Sequence, residues 1–434
     1  MAPVKPLAYP PTTAPVSANW VLACGGLILF LSIGTRQGFG FFLLPVTTEL
    51  GVGREQFAIA VATQYLAWGA CGPIAGVLAD TYGTARTLVA EALLYSTGLV
   101  AASIAQTAFG FGVSAGLLMG AGLGGASYGV VQSAVARVHA EHRRGTALGI
   151  VSAVGAFGQF ALLFFTHQCI ATLGWRSAMA AHAALVVLIV PLALALQSPL
   201  RLKDQIGSTA PANKTHPSYH KLLNTPDYRT VARGMVAAAR TRSFWLLCTG
   251  FAFSGFQVMF TMTHLPAMLD DLKFERDVAI QALAAISFTS FLGSWLFSSL
   301  ADHFKLQQLL AFVYALRAVF ALAALLMPWT HVGLIAYFAL LGFVWMSTIP
   351  LASAMAASLF GTRFMASIFS LVFLAHQIGG FFRTWLGGKV YDKTGSYQTT
   401  WIMISVMCAA GAVMALAIYQ PNHPKNGLAS VSLL

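Results

Sequence analysis

The chain has 434 residues, of which 57% are hydrophobic and 9% are charged, and its mean hydropathy is +0.73. Soluble domains carry about 25% charged residues, so this composition excludes an ordinary soluble protein and predicts a helical membrane protein. The net charge of +12 does not indicate a nucleic-acid partner, because the basic residues concentrate in alternate loops, as in an oriented membrane protein.

Twelve apolar runs, separated by charged or Gly/Pro-rich breaks, approach the length of about 20 residues that a membrane-spanning helix needs. Residues 1–19 are proline-rich and lack the basic region and cleavage site of a removable signal peptide, so the first run is expected to remain in the mature protein. The predicted spans are 20–45, 57–79, 85–106, 109–136, 146–171, 177–197, 244–268, 278–300, 307–328, 331–359, 365–388 and 399–419.

The polar segment 198–242 separates the sixth span from the seventh and carries many basic residues. Its last part, from residue 228, has a helix-compatible pattern that would suit the membrane surface. Lys and Arg concentrate in this linker and in the loops on its side of the membrane. The linker and the tails 1–19 and 420–434 are therefore predicted to be cytoplasmic, with the helices in the plasma (inner) membrane.

Landmarks of the first half of the chain return in the second half. Leu78-Ala79-Asp80 recurs as Leu300-Ala301-Asp302, and positions 80 and 302 differ by 222. Internal repetition in a long apolar chain is typical of a transporter built from two like halves. We therefore predict two pseudo-symmetric six-helix bundles, 20–197 and 243–419, which enclose one pathway in a monomer.

The loop Gly76–Arg86, between the second and third spans, reads Gly-x-Leu-Ala-Asp-x-x-Gly-x-x-Arg. Together with the repeat and the number of spans, it resembles the signature loop of the major facilitator superfamily. The resemblance implies twelve helices in two halves and secondary transport by rocker-switch alternating access. It also implies a central cavity lined by the first, fourth, seventh and tenth helices.

Some features depart from the usual family pattern. Thr81 stands where a basic residue commonly follows the aspartate, the fourth span lacks its basic residue, and the fifth lacks the proline-glycine motif of antiporters. These departures weigh against the proton-coupled sugar and drug-exporter branches. The segments 34–40 and 263–266 resemble instead the bacterial monocarboxylate and oxalate/formate branch.

Three charged residues at helix ends are interpreted as gating residues: Asp80, Arg86 and Asp302. An acid at the end of one helix can dock on the N-terminal dipole and the basic residues of another. Breaking that contact would accompany switching between outward-open and inward-open states. The alternative is a tight inter-helix turn whose charges are solvated.

Four arginine or glutamate side chains lie well inside predicted spans: Arg36, Glu91, Arg317 and Arg383. Such a group is costly unless it faces a wet cavity or a partner. Three arginines against one acid favour an anionic substrate, because arginine can hold a carboxylate bidentately. Arg36 is predicted to bind substrate, with carbonyl bonding as the alternative; Arg383 is also predicted to bind substrate, with snorkelling as the alternative.

Polar residues on the same helices extend this predicted site. His376 lies seven residues before Arg383 and therefore on the same helix face; it either relays a proton or is simply hydrogen-bonded. Gln257 lies 221 residues after Arg36 and is its counterpart in the second half, while His264, seven residues further on, either contacts substrate or serves structure or an outer gate. The remaining candidates for the cavity lining are Gln64, Tyr128, Gln132, Gln159 and Trp345.

Glu91 and Arg317 lie on spans that the resemblance makes peripheral. Glu91 is predicted to pair with an arginine such as Arg137, while a proton-carrying role stays open because Glu91 is the only carboxylate well inside a span.

The leading hypothesis is a secondary transporter for a small organic anion of the monocarboxylate type, with proton coupling left open. The alternative is export of a hydrophobic or cationic compound, which would require an acid in the cavity. The chain has no phosphate-binding loop, no catalytic cluster and no metal-site spacing among its cysteines. We therefore expect neither an enzyme nor a cofactor, and membrane lipid and the transported ions as the partners.

Overall fold

The computed structural model describes residues 17–196, 227–271, 273–274, 276–327, 329–394 and 398–419, and all regular structure within them is helical. The first half contains α1 (Ala18–Gln37), α2 (Leu43–Leu50), α3 (Arg54–Tyr82), α4 (Thr84–Ser103), α5 (Ala108–Phe111), α6 (Met119–Gly125), α7 (Tyr128–Val138), α8 (Glu141–Val187) and α9 (Ile189–Ala195). The second half contains α10 (Tyr228–Ala239), α11 (Arg242–Asp271), α12 (Arg276–Leu300), α13 (Leu306–Ala323), α14 (His331–Trp345), α15 (Thr348–Phe360), α16 (Met365–Thr394) and α17 (Gln398–Leu416).

Nine stretches of the described residues are long and apolar enough to cross a membrane. One stretch contains all of α8, which Gly174 divides into two helices because its backbone has a positive φ of 78°, a conformation that glycine adopts at little cost. With α4 and α11, the structure therefore has twelve long helical segments at the positions predicted from the sequence. This result confirms the all-helical fold of a polytopic membrane protein.

The two halves meet along two helix pairs, α3 with α16 and α8 with α12. Gly76 lies against the backbone of Ala366, and Gly149 lies against Ser298. Gly76 and Ser298 are 222 positions apart, so the two close approaches are related by the internal repeat. Small residues at both places allow the helices to pack closely inside a membrane.

Two pseudo-equivalent spans are interrupted near their middle. In the first half, a π-helical segment (Gly112–Leu118) joins α5 to α6, and the chain breaks before α7, where Ser127 is extended with φ −125° and ψ −162°. In the second half, α14 and α15 are separated at Met346 and Ser347. Positions 127 and 347 differ by 220, close to the repeat distance. Such breaks free backbone groups to bind side chains or ligands.

The short helix α10 follows the linker, at the position where a helix was predicted. Asp227 caps it by accepting a hydrogen bond of 2.8 Å from the backbone N–H of Thr230, and hydrogen bonds from Thr230 lower the pKa of this carboxyl group. The helix buries Val231 and Ala238, and Gly234 lies against the ring of Phe364, just before α16. The helix also packs against α3 and α11, so it contacts both halves.

Gly122 of α6 packs directly against α4. A Cβ at this position would collide with the backbone of Tyr95 on α4, which cannot move aside as a flexible side chain can. We expect Gly122→Ala to destabilise the protein by about 1–3 kcal/mol, measured as a lower melting temperature in detergent. Gly112→Ala, whose Cβ would meet open space, is the control; an equal loss in both variants would contradict this packing.

Candidate functional site

Arg36 is half-buried near the end of α1, with its guanidinium over aromatic rings of α3. Its Cζ lies 4.1 Å from the ring centroid of Tyr65 and 5.4 Å from that of Trp68. The buried Nε of Arg36 has no hydrogen-bond partner among the described residues. Cation–π contacts stabilise the charge by about 0.5–2 kcal/mol, but they leave the N–H groups without an acceptor. Arg36 is thus held in place by the rings, while its Nε–H is available to donate a hydrogen bond.

A chain of aromatic rings connects this arginine to the second half. The Trp68 ring lies 5.3 Å from that of Phe373 on α16, and the Phe373 ring stacks on His376 at 5.4 Å. The His376 ring also lies 4.7 Å from the ring of Phe251 on α11. Nδ1 of His376 lies 3.3 Å from Oε1 of Gln377. His376 is therefore enclosed by aromatic rings at the contact between the halves.

Several buried donors close to these elements have no partner within the described part of the chain. They are Nε of Arg36, Nε1 of Trp345, and Nε2 of both Gln257 and Gln377. Among the acceptors, the amide oxygen of Gln64 is likewise without a partner. Buried polar groups are usually hydrogen-bonded, and Arg and Trp side chains can only donate. This part of the bundle is therefore suited to a ligand rich in acceptor atoms.

The other predicted lining residues make contacts within the protein. Gln64 donates 2.9 Å hydrogen bonds to the carbonyl of Ala115, in the π segment, and to Sδ of Met119. Further contacts join Tyr128 to Gln159, Gln132 to Ser152 at 2.7 Å, and Gln257 to Cys408 at 3.6 Å. Gln64 therefore supports the irregular backbone of its neighbouring span in addition to any ligand contact.

Arg383 and His264 lie on α16 and α11, but their side chains are outside the described part of the structure. Their roles in substrate binding stay predictions. Within the described residues, no three His, Cys, Asp or Glu side chains lie close enough together to hold a metal ion.

Arg317 and Glu91, the two charged residues predicted to lie on peripheral helices, each lie beside one of the two interrupted spans. Arg317 is completely buried and donates to the carbonyls of Val344, at 2.9 Å, and Trp345, where α14 ends. It also donates to the hydroxyl groups of Ser254 on α11, at 2.7 Å, and Thr348 on α15, at 3.2 Å. The arginine therefore neutralises the C-terminal carbonyls of the broken helix.

Glu91 lies beside the break of the first half, which precedes α7, four residues before position 95, the repeat equivalent of Arg317. Its carboxylate accepts a long hydrogen bond of 3.4 Å from the backbone N–H of Gly125. The expected partnership between Glu91 and Arg137 is wrong, because Arg137 pairs with Asp80 instead.

Asp80 joins the two halves at the end of α3. Its carboxylate forms an ion pair with Arg137 and accepts hydrogen bonds from Ser367 on α16, of 2.9 Å from the backbone N–H and 2.6 Å from the hydroxyl. Arg137 in turn donates to the carbonyl of Thr362, at 3.2 Å, in the second half. The carboxylate is thus buried with three donors, one from Arg137 in its own half and two from Ser367 in the other half.

Asp302 makes the equivalent contact from the second half to the first. It accepts from the backbone N–H of Gly145 at 2.9 Å, and from both the N–H and the hydroxyl of Thr146, near the start of α8. Positions 145 and 367 differ by 222, as do 80 and 302. The two aspartates therefore close the same end of the bundle, which we call the Asp80 end. Arg86 lies at this end too, but it is exposed and makes no hydrogen bond or ion pair with the described residues.

Sequence reasoning missed Ser367, Thr146 and Gln377. The repeat offered a signal for Ser367, which lies 222 residues after Gly145, but neither residue attracts attention before the aspartates are seen to bind them. Gln377 follows the predicted His376 directly and has an equally buried side chain.

Comparisons with known proteins agree with this architecture. Residues 25–384 match the family model described as Major Facilitator Superfamily. An uncharacterized MFS-type transporter of Escherichia coli (strain K12), YhjX, is 22% identical over 368 residues, which cover 83% of this chain and 85% of the relative.

Solved structures of two sugar transporters share the fold. The proton:xylose symporter XylE bound to 6-bromo-6-deoxy-D-glucose superposes with a TM-score of 0.73 at 14% identity, covering 93% of this chain and 95% of XylE. The Escherichia coli fucose:proton symporter FucP superposes with a TM-score of 0.64 at 18% identity, covering 93% of this chain and 100% of FucP. At these identities the similarity establishes the fold, and the predicted monocarboxylate branch is not confirmed.

Asp80 is the residue on which closure of the Asp80 end depends most. Asp80→Asn would leave Arg137 without its counter-charge, and removing one partner of a buried pair costs about 3–5 kcal/mol. We expect the halves to separate at this end. Pulsed electron paramagnetic resonance between spin labels at the exposed positions Tyr82 and Arg363, in a background without native cysteines, should report a longer distance.

The control for this experiment is Glu55→Gln, an exposed acid at the other end of α3. It should leave the distance distribution unchanged. An unchanged distribution in Asp80→Asn, with the protein still folded, would show that the aspartate contact does not keep this end closed.

Proposed function

Because the chain belongs to the Major Facilitator Superfamily and is an integral membrane transporter of that family, we propose that its substrate is a small organic anion. The observation that carries the proposal is Arg36, a half-buried arginine whose Nε has no partner and which contacts no acidic side chain among the described residues. An uncompensated charge within a spanning helix is costly unless it serves a ligand or a wet cavity. An anion would supply the missing counter-charge.

The chemistry of the surrounding side chains favours a carboxylate. Arginine can hold both oxygens of a carboxylate in one plane, and the aromatic rings of Tyr65 and Trp68 fix the plane of the guanidinium. The unpartnered N–H groups of Trp345, Gln257 and Gln377 could donate to the rest of an acceptor-rich molecule. A monocarboxylate, as in the branch that the segments 34–40 and 263–266 resemble, fits this arrangement.

We propose that transport proceeds by rocker-switch alternating access with the Asp80 end as one gate. Contacts of Asp80 and Asp302 hold that end closed, and Trp68 lies about 18 Å of helix rise from Asp80, so the arginine lies well inside the bundle. The distribution of Lys and Arg supports placing the Asp80 end and both termini on the cytoplasmic side. The structure would then represent a state closed to the cytoplasm.

Proton coupling is proposed for the same pathway, with His376 or Glu91 as the group that carries the proton. Export of a cationic compound has less support, because it requires an acid beside the substrate. The carboxylates of Asp80 and Asp302 are occupied at the gate, and Glu91 lies at the break before α7.

The proposal predicts ligand binding that depends on Arg36. A panel of formate, acetate, lactate and oxalate should include an acid that raises the melting temperature of the purified wild type, since binding to the folded state stabilises it. Arg36→Gln removes charged hydrogen bonds worth about 1.5–3 kcal/mol each, so affinity should fall at least tenfold and the shift should disappear. Measurements at two pH values would reveal proton coupling.

Arg143→Gln, an exposed arginine at the start of α8, is the matched control and should retain the full shift. Equal shifts in wild type and Arg36→Gln would remove Arg36 from the site. Stabilisation by apolar cations alone would overturn the anion proposal and favour export.

A further inference from the structure

The two broken spans are supported by opposite charges that differ in how completely they are satisfied. Arg317 has four acceptors around its guanidinium, from α11, α14 and α15. Among the described residues, Glu91 has one donor, the N–H of Gly125, at a distance of 3.4 Å. A buried ionised group needs a partner or several hydrogen bonds, so Arg317 is suited to a constant charge, whereas Glu91 is suited to a change of charge.

The groups around Glu91 supply no counter-charge. From α3, the thiol of Cys71 lies close enough to interact with the carboxylate. From α6, Gly125 contributes its backbone N–H. Helices α7, α8 and α9 also pack against α4, and within the described residues none of them brings a charged side chain into interaction with Glu91. Glu91 is only half-buried, so the protein does not enclose its side chain completely.

The fit of Glu91 against the break depends on a glycine. A Cβ at Gly125 would collide with Cγ of Glu91, so this side chain can reach the backbone only because residue 125 has none. Three other acids of the bundle have more partners than Glu91. Asp80 and Asp302 have several donors each, and Glu49 forms an ion pair of 2.7 Å with Arg176.

Glu91 is connected to Arg36 by a short series of contacts. Next to Gly125, the carbonyl of Gly124 accepts a hydrogen bond of 3.3 Å from the hydroxyl of Ser127. That hydroxyl accepts a hydrogen bond of 3.0 Å from the indole N–H of Trp68, and the indole lies 5.4 Å from the Arg36 guanidinium. A change at the break therefore reaches the aromatic ring that positions the arginine.

We propose that Glu91 is a proton-binding site that couples the break before α7 to the arginine site. A proton from water binds one carboxylate oxygen and is later released from the same oxygen, with no other bond formed or broken. The ionised carboxylate accepts from Gly125, whereas the neutral acid holds that N–H less strongly and frees the segment 125–127 to move. The link between this proton site and anion transport rests on the proposed function, whereas proton binding at Glu91 does not depend on it.

Infrared spectroscopy of the purified protein in lipid tests the proton site without any substrate. The carbonyl band of a protonated, slowly exchanging carboxyl group should appear in acidic buffer and disappear in alkaline buffer. Glu91→Gln, which keeps the shape of the neutral acid and should fold, is expected to lose this band. Glu55→Gln, an exposed acid, should keep it, and Gly125→Ala, which pushes the side chain away, should shift its midpoint pH. A band unchanged in Glu91→Gln would overturn the proposal.

The coupling is tested with the same carboxylate panel in the melting assay. Glu91→Gln should keep a ligand-induced shift but lose its dependence on pH, while Arg36→Gln should lose the shift and keep the infrared band. These outcomes distinguish the proton site at Glu91 from the anion site at Arg36, because the infrared band of Glu91 can persist when no carboxylate ligand binds. A shift with the same pH dependence in wild type and Glu91→Gln would show that Glu91 does not couple protons to the substrate.

Discussion

The contact between a buried aspartate and the start of a helix in the opposite half is the interaction on which this architecture depends. Asp80 binds the N–H of Ser367 and Asp302 binds the N–H of Gly145. The internal repeat relates the two contacts, because each residue of one lies 222 positions from its counterpart in the other. A carboxylate near a helix N-terminus is favoured by the helix dipole, but only while the two halves are in register. The contacts therefore favour one closed arrangement of the Asp80 end and are lost together when the halves separate.

The repeat preserves the helices but not their charges. Arg36 corresponds to Gln257, and position 95, which corresponds to Arg317, holds Tyr95. Arg137, which strengthens the Asp80 contact, has no counterpart arginine at the equivalent position 359. A symmetric scaffold thus surrounds an asymmetric centre, with one arginine beside the aromatic rings. Such asymmetry is expected when two like halves enclose a single pathway with one substrate site.

The helices, the repeat and the importance of both aspartates could be predicted from the sequence, because apolar length, offset and charge are local properties. The partners that these charged side chains bind could not be predicted from the sequence. Arg137 lies 57 residues from Asp80 along the chain and competes for it with other basic residues. Only tertiary packing decides that Arg137 binds Asp80 and that, among the described residues, no cation pairs with Glu91. The break at Ser127 was equally hidden, since no proline stands near it. The break at Met346 and Ser347 did have a signal, because Pro350 in the first turn of α15 cannot bond to the carbonyl four residues before it.

The most direct test of the gate is an experimental structure of the Asp80→Asn, Asp302→Asn double variant in lipid. The mechanism predicts that each half keeps its internal packing, including the hydrogen bonds of Arg317, while the halves rotate apart at the Asp80 end. The rings of Trp68 and Phe373, which lie 5.3 Å apart in the closed arrangement, would then separate and expose Arg36 to that side. A double variant that stays closed with these rings in contact would contradict the mechanism.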